Sequence, residues 1–524
     1  MENHLRSALD TGTFFCSAEL VMGRDHDIPD AEAFVRDAAE EPNGVRIISA
    51  TDLPGGNPAL PPEAFVSFVS ENGLTSLAHI SGKDGNRSFL EGRLHGLAHL
   101  GVESILALTG DGHHEAFAGM PKPVFDLDSV LILTLIEKMR EGVEYQVGPR
   151  AVQTTPFDFL AGAVAGPFKT TEPDQMMQYY KLELKIAAGA QFIITQLGYN
   201  LRKLYEARQY MVREGLGHIP VIANVYVPTA TVAKMMRRGD LAGCVVSDEL
   251  IKRLEGEKKP QRLERAGLMV AAARELGFAG AHVGGFGLKH KDVMKVLEHA
   301  EEVGSGWRSR MDELVFDYPG EFYLFPEGPD GLSDGEGDYQ LNRKSPSKGF
   351  GQRVSGMVAG LVSHEGSLGT RLLKPKTDGV KDPVADKSWR GGLRYRLMGL
   401  SDIYRRNAWN CVQCGDCIQD HLNYPGCTMS LCYKELRNGP CGGSRVDGTC
   451  EVNPAQPCVW SDVYLNTLAA GEDSRKYART LVPARDWALD QTSALSNRLA
   501  GLDGFSGHKP VTVQEPQKAE KAEQ

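Results

Sequence analysis

The sequence has no run approaching the ~18 consecutive apolar residues that a membrane-spanning helix needs. Its N-terminus, Met1-Glu2-Asn3-His4-Leu5-Arg6, lacks the apolar core of a secretion signal. It also lacks a surplus of basic side chains: 58 Lys and Arg against 68 Asp and Glu leave a formal net charge of -10. These absences argue against a membrane partner and against nucleic acid, whose phosphates demand a positive footprint. A cytoplasmic protein is expected. Cysteine is nearly missing before residue 411, where only Cys16 and Cys244 occur, both in apolar contexts that fit buried core thiols. What is present is an ordinary globular balance, 41% hydrophobic and 24% charged, in 524 residues. That length exceeds one ordinary domain and points to at least two.

Residues 13 to 303 alternate short apolar β-type runs with helix-length segments. Eight candidate strands begin near Thr13 (TFFCSAE), Gly44 (GVRIISAT), Thr75 (TSLAHI), Glu103 (ESILALTGD), Phe159 (FLAGAVAG), Gln191 (QFIITQ), Ile219 (IPVIANVYV) and Ala279 (AGAHVGG). Between them, segments such as Ser88 to Leu100, Leu127 to Gly142, Asp174 to Ala188 and Arg262 to Leu276 carry apolar residues at helical spacing. Eight β/α units fit a (β/α)8 TIM barrel, which typically takes ~250 residues; a doubly wound sheet is the runner-up. The expected domains are a barrel over 1–305, an irregular linker or covering segment over 306–400, a small cysteine-rich metal or iron-sulfur binding domain over 401–470, and a C-terminal extension over 471–524. The last of these ends, from about Gly501, in a charged tail that reads as disordered.

In such a barrel the active site lies at the C-terminal mouth, so polar residues that end strands come first. Glu19, Thr51, His79, Asp111 and Gln196 each end one. Any one of them alone is explained by capping or a turn. Glu19 follows Phe14-Phe15-Cys16-Ser17-Ala18, and desolvation there is expected to raise its pKa toward general-acid use.

With these residues in place, the chain over 13 to 303 resembles the methylenetetrahydrofolate reductase family. The resemblance rests on Glu19, on HISGKDGN (79–86), on ALTGD (107–111) and on KIAAGAQFIITQ (185–196), in that order and spacing. It implies a flavin (FAD or FMN) whose N5 carries hydride between 5,10-methylenetetrahydrofolate and 5-methyltetrahydrofolate. The methylene bridge must open to an iminium before hydride adds, which requires an acid. By the resemblance Glu19 is that acid, Gln196 meets the folate, and Asp111 lies near both flavin and pterin. The same resemblance assigns the flavin to Thr51, His79, Asp84, Asn86, Thr109, Gly110, Lys181 and Lys185, with Lys185 facing the phosphates. The bland alternative for Lys185 is an exposed helix lysine. Leu20-Val21-Met22-Gly23, Thr109 and Leu197-Gly198-Tyr199-Asn200 depart from the family's usual residues. They leave FAD versus FMN, and NAD(P)H versus another electron donor, open.

Eight of the ten cysteines fall within 48 residues: Cys411, Cys414, Cys417, Cys427, Cys432, Cys441, Cys450 and Cys458. In a reducing compartment such a cluster reads as metal ligation rather than disulfides. The opening C-x2-C-x2-C spacing favours a [4Fe-4S] cluster, although eight thiolates also make two four-cysteine zinc sites. His421 could replace one ligand, but a solvent-facing histidine is the simpler expectation. NGPCGG (438–443), GTCEV (448–452) and PCVW (457–460) resemble the cysteine-rich C-terminal domain that accompanies some methylenetetrahydrofolate reductases. That resemblance implies electron exchange with the flavin, and so a ferredoxin or other redox protein as partner. A homo-oligomer is expected. The competing reading is a tetrahydrofolate-dependent methyltransferase with a zinc-thiolate or structural zinc module.

Overall fold

The computed structural model describes residues 2–23, 28–342, 389–419, 421–422, 424, 426–499, 501–504 and 511–512. By contacts along the chain these fall into two compact units. The described residues up to Leu341 and those of Cys441–Pro454 make the first; those between Asn342 and Pro440 and from Ala455 onward make the second. The short segment Cys441–Pro454 thus packs with the barrel, although the expected cysteine domain of 401–470 would have kept it with its neighbours.

The first unit is built on ten strands: β1 (Phe15–Leu20), β2 (Ile47–Ala50), β3 (Thr75–Ser81), β4 (Ser104–Leu108), β5 (Glu144–Val147), β6 (Arg150–Gln153), β7 (Leu160–Ala165), β8 (Phe192–Thr195), β9 (Val221–Tyr226) and β10 (Gly280–Gly284). Eight of them close a parallel barrel in the order β1-β2-β3-β4-β7-β8-β9-β10, with β10 returning to β1. This is the (β/α)8 barrel, and each of the eight expected strands is in it. β5 and β6 form an exposed antiparallel hairpin between a helix and β7. Two short helices, Ala230–Arg238 and Asp248–Gly256, precede the long helix Lys259–Glu275 that returns to β10.

Side chains alternate in and out along each strand, and the inward positions stack in layers. Ile47, Leu77, Leu106, Leu160, Phe192, Ile194 and Ile222 fill the floor together with Leu5 from the N-terminal helix His4–Thr11. That helix is capped by Asn3, whose side chain accepts from Arg6 N and donates to Glu103 and Ser104 at the start of β4. Leu5 therefore plugs the end of the barrel away from the mouth. Gly162 is required by this packing, because a Cβ there would stand 2.2 Å from the Phe192 ring.

The covering segment after the last barrel helix is partly regular, a 3-10 stretch over Gly304–Glu313, followed by chain pinned to the helix Leu201–Arg213. Buried Glu206 accepts from Leu324 N and Phe325 N, and Lys203 donates to Phe322 O. Ionic side chains here hold backbone that has no ladder of its own. The basic stretch after 342 lies outside the described residues.

In the second unit, the helix Trp389–Trp409 runs across the boundary expected at 400 and leads into the cysteine loop. Asp416, inside the C-x2-C-x2-C stretch, is fully buried and meets Arg437 at 3.2 Å, while Arg437 also donates to Asp416 O. Asp486 N and Gly504 N donate to the Asp416 carboxylate. The start of the tail expected to be disordered, residues 501–504, is instead held against this unit, with Asp503 buried and Gly504 N on Asp416, and Val511–Thr512 pairs with Thr480–Leu481; the remaining tail residues lie outside the described ones. No described helix is long and apolar enough to cross a membrane.

Candidate active site at the barrel mouth

Above the apolar floor the inward positions turn polar. Ser17 and Glu19 of β1, Ser49 of β2, His79 of β3 and His282 of β10 follow the same alternation as the floor residues one step below them. His282 is buried and central: its Nδ1 lies 2.8 Å from Ser17 Oγ, and its Nε2 lies 3.4 Å from Ser49 Oγ and 3.5 Å from Glu19 Oε2. The expectation of a raised Glu19 pKa is corrected here. Burial does push the carboxyl up, but the hydrogen bond to His282 and the nearby His282 and His79 rings outweigh it, and the net displacement is downward.

His79 is buried, and burial pulls its imidazole down to about 4, against the opposing pull of Glu19. Its Nε2 has no hydrogen-bond partner among the described residues. A buried, neutral ring with an orphaned nitrogen is poised for a ligand. Tyr226, at the end of β9, has its phenol pushed up to about 12 by burial and by Glu19. Cys244 packs against the apolar cluster of Tyr199, Met236 and Val246, as a core thiol would, and is also in electrostatic reach of the mouth; burial raises its thiol to about 12, with Asp111 and Glu19 adding and Lys169 opposing. Cys16 also behaves as a core thiol, raised to about 12 by burial.

The other expected residues divide by what already holds them. Thr51 accepts from Met22 N at 2.9 Å, joining the end of β2 to the end of β1. Asp84 is engaged by Lys83 and by His113, each at 2.6 Å. Asn86 caps the helix Arg87–His99 by accepting from Phe89 N. Thr109 bonds Ser129. Gly110 sits at φ 93°, and a Cβ there would stand 2.2 Å from Ser81 Oγ, so only glycine fits. Gln196 accepts from Leu197 N. Lys181 and Lys185 both lie on the helix Glu172–Ala187 and are buried, so the exposed-lysine alternative is excluded. Lys181 pairs with Asp128 at 2.9 Å. Lys185 donates to Val164 O at 2.6 Å; burial and the charge of Lys181 pull its ammonium down to about 7, while Asp128 and Cys441 act in the opposite sense.

Cys441–Pro454 lies along the β4–β7–β8 side of this mouth. Lys169 Nζ donates to Ser444 O at 2.8 Å, and Thr170 Oγ1 donates to Val446 O at 2.5 Å. A Cβ on Gly243 would stand 2.7 Å from Gly442 O and 3.4 Å from Gln196 Nε2, and one on Gly112 would stand 3.0 Å from Val452. Cys441 Sγ donates to Glu451 at 3.5 Å and accepts from Gly443 N.

In the second unit, Cys427 is in electrostatic reach of Cys411, Cys414 and Cys417, and Cys417 also of Cys414. Burial, with Cys427 adding to it, raises the Cys411 and Cys414 thiols, Cys414 to about 11; burial also brings Cys417 to about 11. Gln413 N, Gln419 N and Arg405 Nη1 point at Cys411 or Cys417 sulfur at 3.3 to 3.4 Å. Among the described residues no three His, Cys, Asp or Glu side chains converge closely enough to ligate one ion. His421 is half-buried, edge-on to Tyr477, instead of facing solvent, and burial pulls it down to about 4.

His282, Tyr226, Cys244 and Lys169 are absent from the sequence-derived set. Three of the four have a signal: His282 shares the inward phase of β10 with Gly280 and Gly284, Tyr226 ends β9 and Lys169 follows β7 closely.

The comparisons agree with this architecture. Residues 4–276 match the family model described as methylenetetrahydrofolate reductase, and residues 393–488 match one described as methylene-tetrahydrofolate reductase C terminal. No curated protein matches the chain. Among solved structures, an uncharacterised Clostridium thermocellum protein that binds two copies of 5-methyl-5,6,7,8-tetrahydrofolic acid is 13% identical, over 57% of this chain and 99% of that one, at a TM-score of 0.39. A 2,3-dimethylmalate lyase is 13% identical (57% and 84% covered, TM-score 0.33). An oxaloacetate acetylhydrolase is 12% identical (60% and 87% covered, TM-score 0.32). Likenesses at these scores carry no argument about chemistry.

Proposed function

Because the chain belongs to the methylenetetrahydrofolate reductase family, we propose that it interconverts 5,10-methylenetetrahydrofolate and 5-methyltetrahydrofolate with a flavin as redox cofactor. The observation that carries the reading is Glu19 at the barrel mouth, set between the rings of His79 and His282. A bound flavin supplies the hydride through N5. His79 Nε2, orphaned and buried, fits such a ligand, and Lys185 and Asp111 would join it in holding the group.

Glu19 is the proton donor to the ring nitrogen whose bond to the methylene carbon must break. In the free protein its carboxyl is held low by His282. A heterocycle seated over the mouth excludes water, and exclusion of water strengthens the one influence that raises this carboxyl. Substrate binding therefore moves Glu19 toward the protonated form that the step uses. Ser17 and Ser49 keep the His282 ring oriented while this happens.

Cys411, Cys414, Cys417 and Cys427 are the four thiols best suited to a common iron-sulfur or zinc site. The N–H groups aimed at Cys411 and Cys417 are the kind that tune a cluster. With iron, this unit would exchange electrons with the flavin in place of, or alongside, NAD(P)H.

The test of the acid is Glu19→Gln, which should retain flavin absorbance and lose folate turnover by about 10²–10⁴-fold; full activity removes Glu19 from the role. Anaerobic purification with absorbance spectra and iron, sulfide and zinc assays tests the cofactors. A colourless protein that still binds methyltetrahydrofolate would favour methyl transfer instead.

A further inference from the structure

Between residues 236–244 and residues 443–451 lies a cavity of about 210 Å³, lined among others by Arg237, Arg238, Cys244, Ser444, Arg445 and Glu451. Two of its arginines are neutralised: Arg237 meets Asp248 at 3.1 Å and Arg238 meets Asp240 at 2.6 Å. Arg445 is not. Its Nη1 donates to Arg238 O and its Nη2 to Glu451 O, both at 3.4 Å, and its Nε is buried without a partner among the described residues. Its hydrogen bonds go only to neutral carbonyls, and the Asp447 carboxylate in its electrostatic reach is already engaged by Thr449, so the guanidinium keeps spare donors for an anion.

The position of Arg445 is built. Its N–H donates to Thr449 O and its carbonyl accepts from Gly448 N, closing a tight turn. Asp447 holds that turn through Thr449, while Lys169 and Thr170 fix the carbonyls of Ser444 and Val446 on either side. The inner wall of the cavity is the catalytic mouth. Cys244 is in electrostatic reach of Asp111 and Glu19, and Gly243 lies beside Gln196.

A substrate with a neutral heterocycle at one end and carboxylates at the other would span both regions. We infer that this cavity receives the carboxylates of the folate's glutamyl tail, with Arg445 as the positioning residue; the inference rests on the folate reading above. The C-terminal family segment thereby contributes to substrate recognition by the barrel.

The full-length protein is titrated calorimetrically with 5-methyltetrahydrofolate and with the same pteroyl compound lacking its glutamate. Loss of one charge-assisted contact is worth roughly tenfold in affinity. The wild type should favour the glutamyl compound by at least about tenfold. Arg445→Ala should remove that preference and leave the tail-less compound unchanged, and Arg445→Lys should retain part of it. Arg445→Gln, which keeps the length of the side chain and its neutral donors, should lose the preference as Arg445→Ala does and guards against misfolding of the first variant. Equal binding of the two compounds by wild type, or an unchanged ratio in Arg445→Ala, overturns the inference and leaves the folate reading standing. Failure of both compounds to bind overturns the folate reading and the inference with it.

Discussion

Glu19 is subject to two opposed influences, and their balance sets what it can do. Burial alone would make it a weak acid; His282 makes it a carboxylate below its ordinary 4.5. Removing the ring while keeping the pocket should reverse the balance. His282→Ala is expected to move the Glu19 carboxyl above 4.5 in a carbon-detected titration, with Glu19→Gln as the assignment control, and a carboxyl that stays low would exonerate the histidine. The linkage follows from the sign: a depressed folded-state pKa contributes stability above the unfolded value, and that contribution is lost as pH falls through the folded one. The Glu19–His282 contact should therefore stabilise the wild type at neutral pH and vanish below 4.5, whereas His282→Ala should lack this acid-side loss. Glu19 and His79 were legible in the sequence because each closes an apolar run, although β1 continues to Leu20 and β3 to Ser81. His282 lies mid-strand, where a polar residue reads as a core exception until the neighbouring strands are known.

The elements show where one residue decides a whole layer. Phe192 fills the barrel floor over Gly162, and the three atoms nearest a Cβ there all belong to its ring. Phe192→Ala should cost about 3–5 kcal/mol of barrel stability, read as a lower denaturant midpoint with unchanged slope; a shift under about 1 kcal/mol would mean that the floor collapses around the gap. In the cysteine loop the comparable element is the buried Asp416–Arg437 pair. Asp416→Ala leaves Arg437 buried without its carboxylate and should destabilise that unit by about 3–5 kcal/mol, seen as early loss of its near-ultraviolet signal; an unaltered transition would show that the backbone donors alone shape the loop. The barrel strands were legible because each is a short apolar run between turn residues. The β5–β6 hairpin was not, since its strands are only four residues long and fully exposed, and the short alternation of Tyr145 and Val147 with Glu144 and Gln146 buries nothing.

At the scale of the whole chain, the two family regions were legible from motif order, and so was the barrel. The division into compact units was not. Sequence proximity keeps Cys441 and Cys450 with the other cysteines, but side-chain donors of the barrel, Lys169 and Thr170, capture the backbone between them. No composition shift announces such a capture. The chain therefore leaves its first unit after Leu341, returns at Cys441 and departs again after Pro454. In order of synthesis, the last barrel strand emerges long before the segment that borders its mouth. A nascent barrel can close its strands and set Glu19 against His282 while Arg445 is still unmade. Substrate grip is then the last property acquired, a built-in delay between having a fold and having a use for it.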